Sequence, residues 1–318
     1  MTDGPELPWD PLEAAGLGLV VDAATAEAVA AFRAAGIRSV LLKGASFDAW
    51  LYDPEEPRAY GDVDLLVSGA DVERAGDVLR RLGYRRRAGR EPARTVEHAQ
   101  VWVRPSDDMC VDLHVTLGGA DRADVDPWAV LSAGTDRILV AGTQVDILSE
   151  PARALHIALH AAVSEAAAQK PLIDLSRAIA RLPPEAWTRA AGLAKQLGAE
   201  AAFAAGLRRL PDGEELAFRL ELTGAGSVDA ALLAESASYS AWTIDRLAKT
   251  RGVRAKLDIL LPRLFPKPEF MRVWYPVARR GRAGLALGYL RRLAWLVAAT
   301  PDALRAWLRA RRRARGLG

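Results

Sequence analysis

The chain of 318 residues has a single cysteine, Cys110, so it can form no disulfide within itself and no cysteine-based zinc site. Its first residues, MTDGPELPWDP, lack the basic and apolar regions of a signal peptide. With the lone thiol, that sets a reducing cytoplasm as the expected location. No repeat of fixed period is visible, which argues against a solenoid. The most apolar stretch, Ala283 to Thr300, has the length of a membrane span, but Arg291 and Arg292 sit at its centre. Each would cost about 2.5 to 3.5 kcal/mol there, so no transmembrane segment is expected. What is present, hydrophobic 50% and charged 26%, is enough to bury one large or two modest cores.

Acids are nearly missing from the last forty residues. From Arg279 to Gly318 there are 11 Arg, no Lys and one acid, Asp302, whereas the whole chain has 43 Lys and Arg against 40 Asp and Glu. A basic amphipathic tail (279–318) is therefore appended to an acidic body. Leu285, Tyr289, Leu293 and Leu296 follow helical spacing, and after Thr300-Pro301 so do Leu304, Trp307 and Leu308. Such a tail packs on the body with a solvated basic face, or docks on an anionic membrane surface, an RNA backbone or an acidic protein, the membrane case making the chain peripheral to the membrane.

Periodicity divides the rest. Residues 1–22 read as an irregular lead-in, and Ala23 to Ala35 as a helix closed by Gly36. Ser39 to Leu42 and Asp62 to Val67 read as strands, with a Pro-containing loop from Asp53 to Gly61 between them, and Asp71 to Leu82 as an amphipathic helix. His98 to Val103 and Cys110 to Leu117 form a hairpin pattern, and Arg137 to Val140 with Gln144 to Leu148 a second one. Beyond Glu150-Pro151 nearly everything reads as helix. Strands followed by a run of helices predict an α+β fold: a mixed-sheet domain over 23–149, then an all-α domain over 150–278.

Asp62 and Asp64 lie two apart on a predicted strand, so both carboxylates leave the same face while Val63, Leu65 and Val67 take the other. Paired acids without a sequence-adjacent cation repel each other unless a divalent ion lies between them. Asp112, flanked by Val111 and Leu113, is placed in the same way on a later strand. Three strand carboxylates make a hard-cation site suited to Mg2+. Lys43-Gly44-Ala45-Ser46 ends a strand and opens a short helix; Lys43, Gly44 and Ser46 either grip a phosphate or are plain turn residues. Arg58, in the loop before the acids, contacts a phosphate or pairs with Glu55 or Glu56. His114 shares a face with Asp112, as a catalytic group or a hydrogen-bonded structural one. His156 and His160 have the i, i+4 spacing of zinc ligands but no third ligand nearby, which favours packing or a substrate-side role. Asp174 is read as a contact from the helices to the first domain, or as a cap.

LLKGAS (41–46), RAYGDVDLLV (58–67) and VDLHVTL (111–117) together resemble the DNA polymerase β-like nucleotidyltransferase superfamily and, more narrowly, its bacterial uncharacterised nucleotidyltransferase family. ALHIALHAA (154–162), LIDLSRAI (172–179) and RLFPKPEFMRVWYP (263–276) extend the resemblance. It implies transfer of a nucleoside monophosphate from an NTP to an acceptor hydroxyl on a small molecule, a peptide or protein, or RNA. Two Mg2+ ions would be held by Asp62 and Asp64, with Asp112 completing the ion nearer the acceptor and helping to deprotonate the hydroxyl. The superfamily's Gly-Ser or Gly-Gly pair is Gly44-Ala45 here, with Ser46 one place later. The rival readings are a non-catalytic nucleotide- or partner-binding descendant, and a binding module built on the basic tail.

Overall fold

The computed structural model describes residues 8–87, 99–120, 125–164, 168–222, 228, 231–232, 239–266, 268, 271–272 and 275–314. His98, residues 267, 269–270 and 273–274 of the 263–276 segment, and the last four tail residues, all within stretches named above, lie outside that set. Described residues up to Leu222 form one compact unit and those from Val228 onward a second.

The first unit is a seven-stranded mixed sheet with helices. In chain order it runs α1 (Pro11–Ala34), β1 (Ser39–Leu41), α2 (Ala45–Leu51), β2 (Asp62–Val67), α3 (Val72–Arg81), β3 (Arg85–Arg86), β4 (Ala99–Arg104), β5 (Met109–His114), α4 (Pro127–Leu131), β6 (Thr135–Val140), β7 (Thr143–Leu148), then α5 (Glu150–Val163), α6 (Lys170–Arg181), α7 (Pro184–Leu197), α8 (Glu200–Leu207) and α9 (Pro211–Arg219). The strand order is β3-β4-β5-β2-β1-β7-β6. Both predicted hairpins are present, the second turning at Ala141 and Gly142, each with positive φ. The α+β reading holds. The boundary placed at Ser149 does not divide the chain, because α5 to α9 belong to the same unit as the sheet.

The lead-in is not irregular. Asp10 accepts hydrogen bonds from the Leu12 and Glu13 N–H groups, Pro11 takes the first helical position, and α1 runs from there. At Gly18 the absent Cβ makes room for the Tyr60 hydroxyl, 3.3 Å from where that carbon would sit. Among the described residues α1 is the one helix long and apolar enough to cross a membrane. Its Val21, Ala24, Ala28, Val29 and Phe32 are instead in the core, against Val63, Leu65 and Val67 of β2.

In the second unit the helix Gly281–Ala314 continues through Pro301, where the sequence predicts a new start. It is tied to its neighbours by Trp307 Nε1 donating to Asp245 (3.0 Å) and Arg292 Nε donating to the Arg263 carbonyl (2.8 Å). Gly284 faces the Val277 carbonyl so closely that a Cβ would fall 2.2 Å from it.

Candidate active site

Strands β2 and β5 are parallel neighbours, and their register sets Asp64 directly beside Asp112. Alternation then does what the pattern predicts. Val63, Leu65, Val111 and Leu113 are in the core, while Asp62, Asp64, Asp112 and His114 share the opposite face. On the other side of β2 runs β1, antiparallel, and the Leu42 N–H bonds the Asp64 carbonyl (2.9 Å). That pairing brings Lys43 Nζ to 3.0 Å from Asp64 Oδ1, and His114 Nε2 lies 2.9 Å from the same oxygen. The other oxygen, Oδ2, is buried and makes no hydrogen bond. One ligand atom each from Asp64, Asp112 and His114 lies within 4.8 Å of the others. Two carboxylates, an imidazole and an unpartnered buried oxygen fit a divalent cation.

The cation that the sequence did not place beside the acids is therefore Lys43. Burial alone would raise the pKa of Asp64, which is 1% exposed, but the Lys43 ammonium and the His114 hydrogen bond hold it well below the usual carboxylate range. Burial would lower the pKa of Lys43; Asp64 and Asp62 raise it instead. Asp112 lacks such a partner, and burial followed by repulsion from Asp64 pushes its pKa up. Burial and Asp112 push the Cys110 thiol up to about 12, so this cysteine is no thiolate nucleophile.

The other predicted residues fall into different places. Asp62 stands at the start of β2, opposite Cys110, partly exposed and outside the three-residue cluster. Gly44 has φ +61, and a Cβ there would meet the Tyr60 ring at 3.2 Å, so glycine is required. The Ser46 and Phe47 N–H groups bond the Lys43 and Gly44 carbonyls, so these two donors do not point at a phosphate. The Ser46 hydroxyl is buried and makes no hydrogen bond. Arg58 pairs with neither Glu55 nor Glu56. Its guanidinium is buried and forks onto Asp174 of α6, Nε to Oδ1 at 2.9 Å and Nη2 to Oδ2 at 2.8 Å, with the Tyr52 hydroxyl donating to Oδ1 at 2.6 Å. Glu56 pairs with Arg177 instead. Sequence reasoning missed Lys170, half-buried at the start of α6, whose Nζ donates to the Ala59 carbonyl (3.2 Å). Burial and Arg58 lower its pKa while Asp62 opposes them. A lone lysine between two predicted helices carries no sequence signal for that position.

His156 and His160 are outside the metal-capable cluster among the described residues. His156 packs its ring on Phe47 and on His160, with centroids 5.6 and 6.4 Å apart. Burial and then Lys43 lower the pKa of His156 to about 3 and that of His160 well below its ordinary value. Both imidazoles are thus neutral when folded and take up protons only on unfolding. Their cost is absent above about pH 6.5 and grows as pH falls, each removing about 1.4 kcal/mol of stability per pH unit. Urea titrations from pH 7 to pH 5 should show this slope, and His156→Gln with His160→Gln should flatten it. An unchanged slope would refute the neutral-pair assignment.

Comparison with known proteins places this geometry. No curated protein is significantly similar. Solved structures are, among them the antibiotic-resistance factor ANT(2'')-Ia, 16% identical over 58% of this chain and 94% of that one with TM-score 0.40, and an antigenic nucleotidyltransferase-like protein from Paracoccidioides brasiliensis, 15% identical over 65% and 92% with TM-score 0.38. At those scores the assignment rests on the family match, which runs over residues 12–211 and so takes in strands β1 to β7, the Asp64–Asp112 pair and helices α5 to α8. The chain belongs to the uncharacterised nucleotidyltransferase family, and it is a nucleotidyltransferase enzyme.

Proposed function

We propose that the enzyme moves a nucleoside monophosphate from an NTP to the hydroxyl of a small or peptidic acceptor, with Mg2+. The observation that supports this most directly is the in-register pair Asp64 and Asp112, with a buried carboxylate oxygen left unpartnered. Asp64 and Asp112 would hold one Mg2+, with His114 hydrogen-bonded to Asp64 or itself a ligand, and Asp62 at the strand's start would be the residue available for a second ion. Bound there, the metal supplies charge neutralisation for the phosphates and lowers the pKa of the attacking hydroxyl. The acceptor oxygen bonds the α-phosphorus, the bond from that phosphorus to the bridging oxygen breaks, and pyrophosphate leaves. Asp112 would take the hydroxyl proton. Lys170, whose ammonium feels the Asp62 charge, would be a cation available to the leaving phosphates. Residues 1–224 carry 24 Lys and Arg against 34 Asp and Glu, a balance that disfavours a long polyanionic acceptor.

Incubation with each α-labelled NTP, Mg2+ and cell extract should label one species, which is then identified. Absence of label with all four NTPs, or equal label from an Asp112→Asn variant, would overturn the reading. A simpler binding test precedes it. An NTP with Mg2+ at about a hundred times its Kd should stabilise the protein by about 2.7 kcal/mol, and chelator should remove the effect, because unmetallated carboxylates repel a triphosphate. Equal shifts in melting temperature with and without chelator would argue against a metal-bridged nucleotide.

A further inference from the structure

In the second unit two helices are turned the wrong way out for water. The helix Gly281–Ala314 buries Gly284, Gly288, Arg292, Ala303, Ala306, Trp307 and Ala310, yet exposes Leu287, Leu290, Val297, Leu304 and Leu308. At about 100° per residue those five aliphatics fall, with Ala294 and Pro301, on one stripe away from the buried face, roughly 30 Å long. Leu290 is 63% and Val297 72% exposed. The helix Val253–Leu264 repeats the arrangement: Val253, Leu257, Leu261 and Phe265 recur every fourth residue and all are exposed, Val253 at 76%. Exposed aliphatics scattered singly need no explanation, but ordered rows on two helices of one unit mark a surface that is covered in use. Burying each such side chain is worth about 1.5 to 3 kcal/mol.

The charge around the rows identifies what covers them. Residues 225–318 carry 19 Lys and Arg against 6 Asp and Glu. Exposed Arg291, Arg305 and Arg312 each follow a stripe residue by four positions (Leu287, Pro301, Leu308) and so border the long row. Arg251, Arg254 and Lys256 surround the start of the shorter one. We propose that this unit docks flat on an anionic lipid bilayer, its leucines and valines in the acyl boundary and its arginines at the headgroups. A nucleic-acid backbone would match the arginines but leave the aliphatic rows in water. A second copy of the chain would cover the rows but oppose like charge to like charge.

Sedimentation of the full chain with vesicles tests this. Phosphatidylglycerol-containing vesicles should carry the protein down, phosphatidylcholine vesicles about tenfold less, and added salt should weaken binding without abolishing it. Leu290→Glu with Val297→Glu should reduce sedimentation about tenfold at unchanged melting temperature, since both sites are exposed. Leu257→Glu with Leu261→Glu is the independent second variant should the first unfold. Failure to sediment with phosphatidylglycerol vesicles would overturn the proposal. So would a lipid-free dimer that the same substitutions split, which would make the face a self-interface. Binding to poly(U) that outcompetes vesicles would overturn it in favour of RNA.

Discussion

Asp112→Asn is expected to lower nucleotidyl transfer about a thousandfold, a loss of roughly 4 kcal/mol of transition-state stabilisation, while the melting temperature holds or rises slightly. The asparagine keeps the volume and removes a charge that is unfavourable in the folded protein, where burial and Asp64 push the Asp112 pKa up. Loss of activity with an unharmed fold therefore isolates chemistry. Asp64→Asn is the less clean variant. It too should abolish transfer, but it leaves the buried Lys43 ammonium facing a neutral amide and so costs stability as well. Steady-state rates, Mg2+ titration calorimetry and thermal melts of both proteins check the pair of expectations. Asp112→Asn with turnover within a few-fold of the parent would refute the site assignment.

Asp174→Ala is expected to destabilise the first unit by about 3 to 5 kcal/mol, which for a body of this size lowers the melting temperature by roughly 10 °C. The carboxylate takes both guanidinium bonds of Arg58 and the Tyr52 hydroxyl, and both ionic partners are buried, Asp174 completely. Its removal strands a guanidinium away from water. The double replacement Arg58→Met with Asp174→Leu removes both charges together and should recover most of the loss, because the cost lies in the uncompensated ion rather than in the missing attraction. A double variant no more stable than Asp174→Ala would show that the bonds themselves, not desolvation, hold α6 on the loop before β2.

Sequence alone determined the local features. Alternation in DVDLLV put Asp62 and Asp64 on one face, because a strand's period of two leaves no other arrangement. Turn residues located both hairpins, and the change from period two to period 3.6 after Glu150 located the helices. The resemblance carried by LLKGAS, GDVDLLV and VDLHVTL named the family to which the chain belongs. What periodicity could not supply was partnership between distant residues. That the helix at Gly18 admits Tyr60 depended on a ring whose hydroxyl donates a hydrogen bond to Asp22, 38 residues away from it. Which tail leucines turned outward depended on how closely Gly284 and Gly288 let the helix approach its neighbours. Above all, the ionic partners of the site were invisible along the chain. Lys43 reaches Asp64 because β1 lies antiparallel beside β2, His114 reaches it because β5 lies parallel on the other side, and Arg58 finds Asp174 116 residues later on α6. Side-chain direction is a local property of the backbone, fixed by the nearest few residues, whereas the pairing of buried charges follows strand order and register, which only the folded sheet decides.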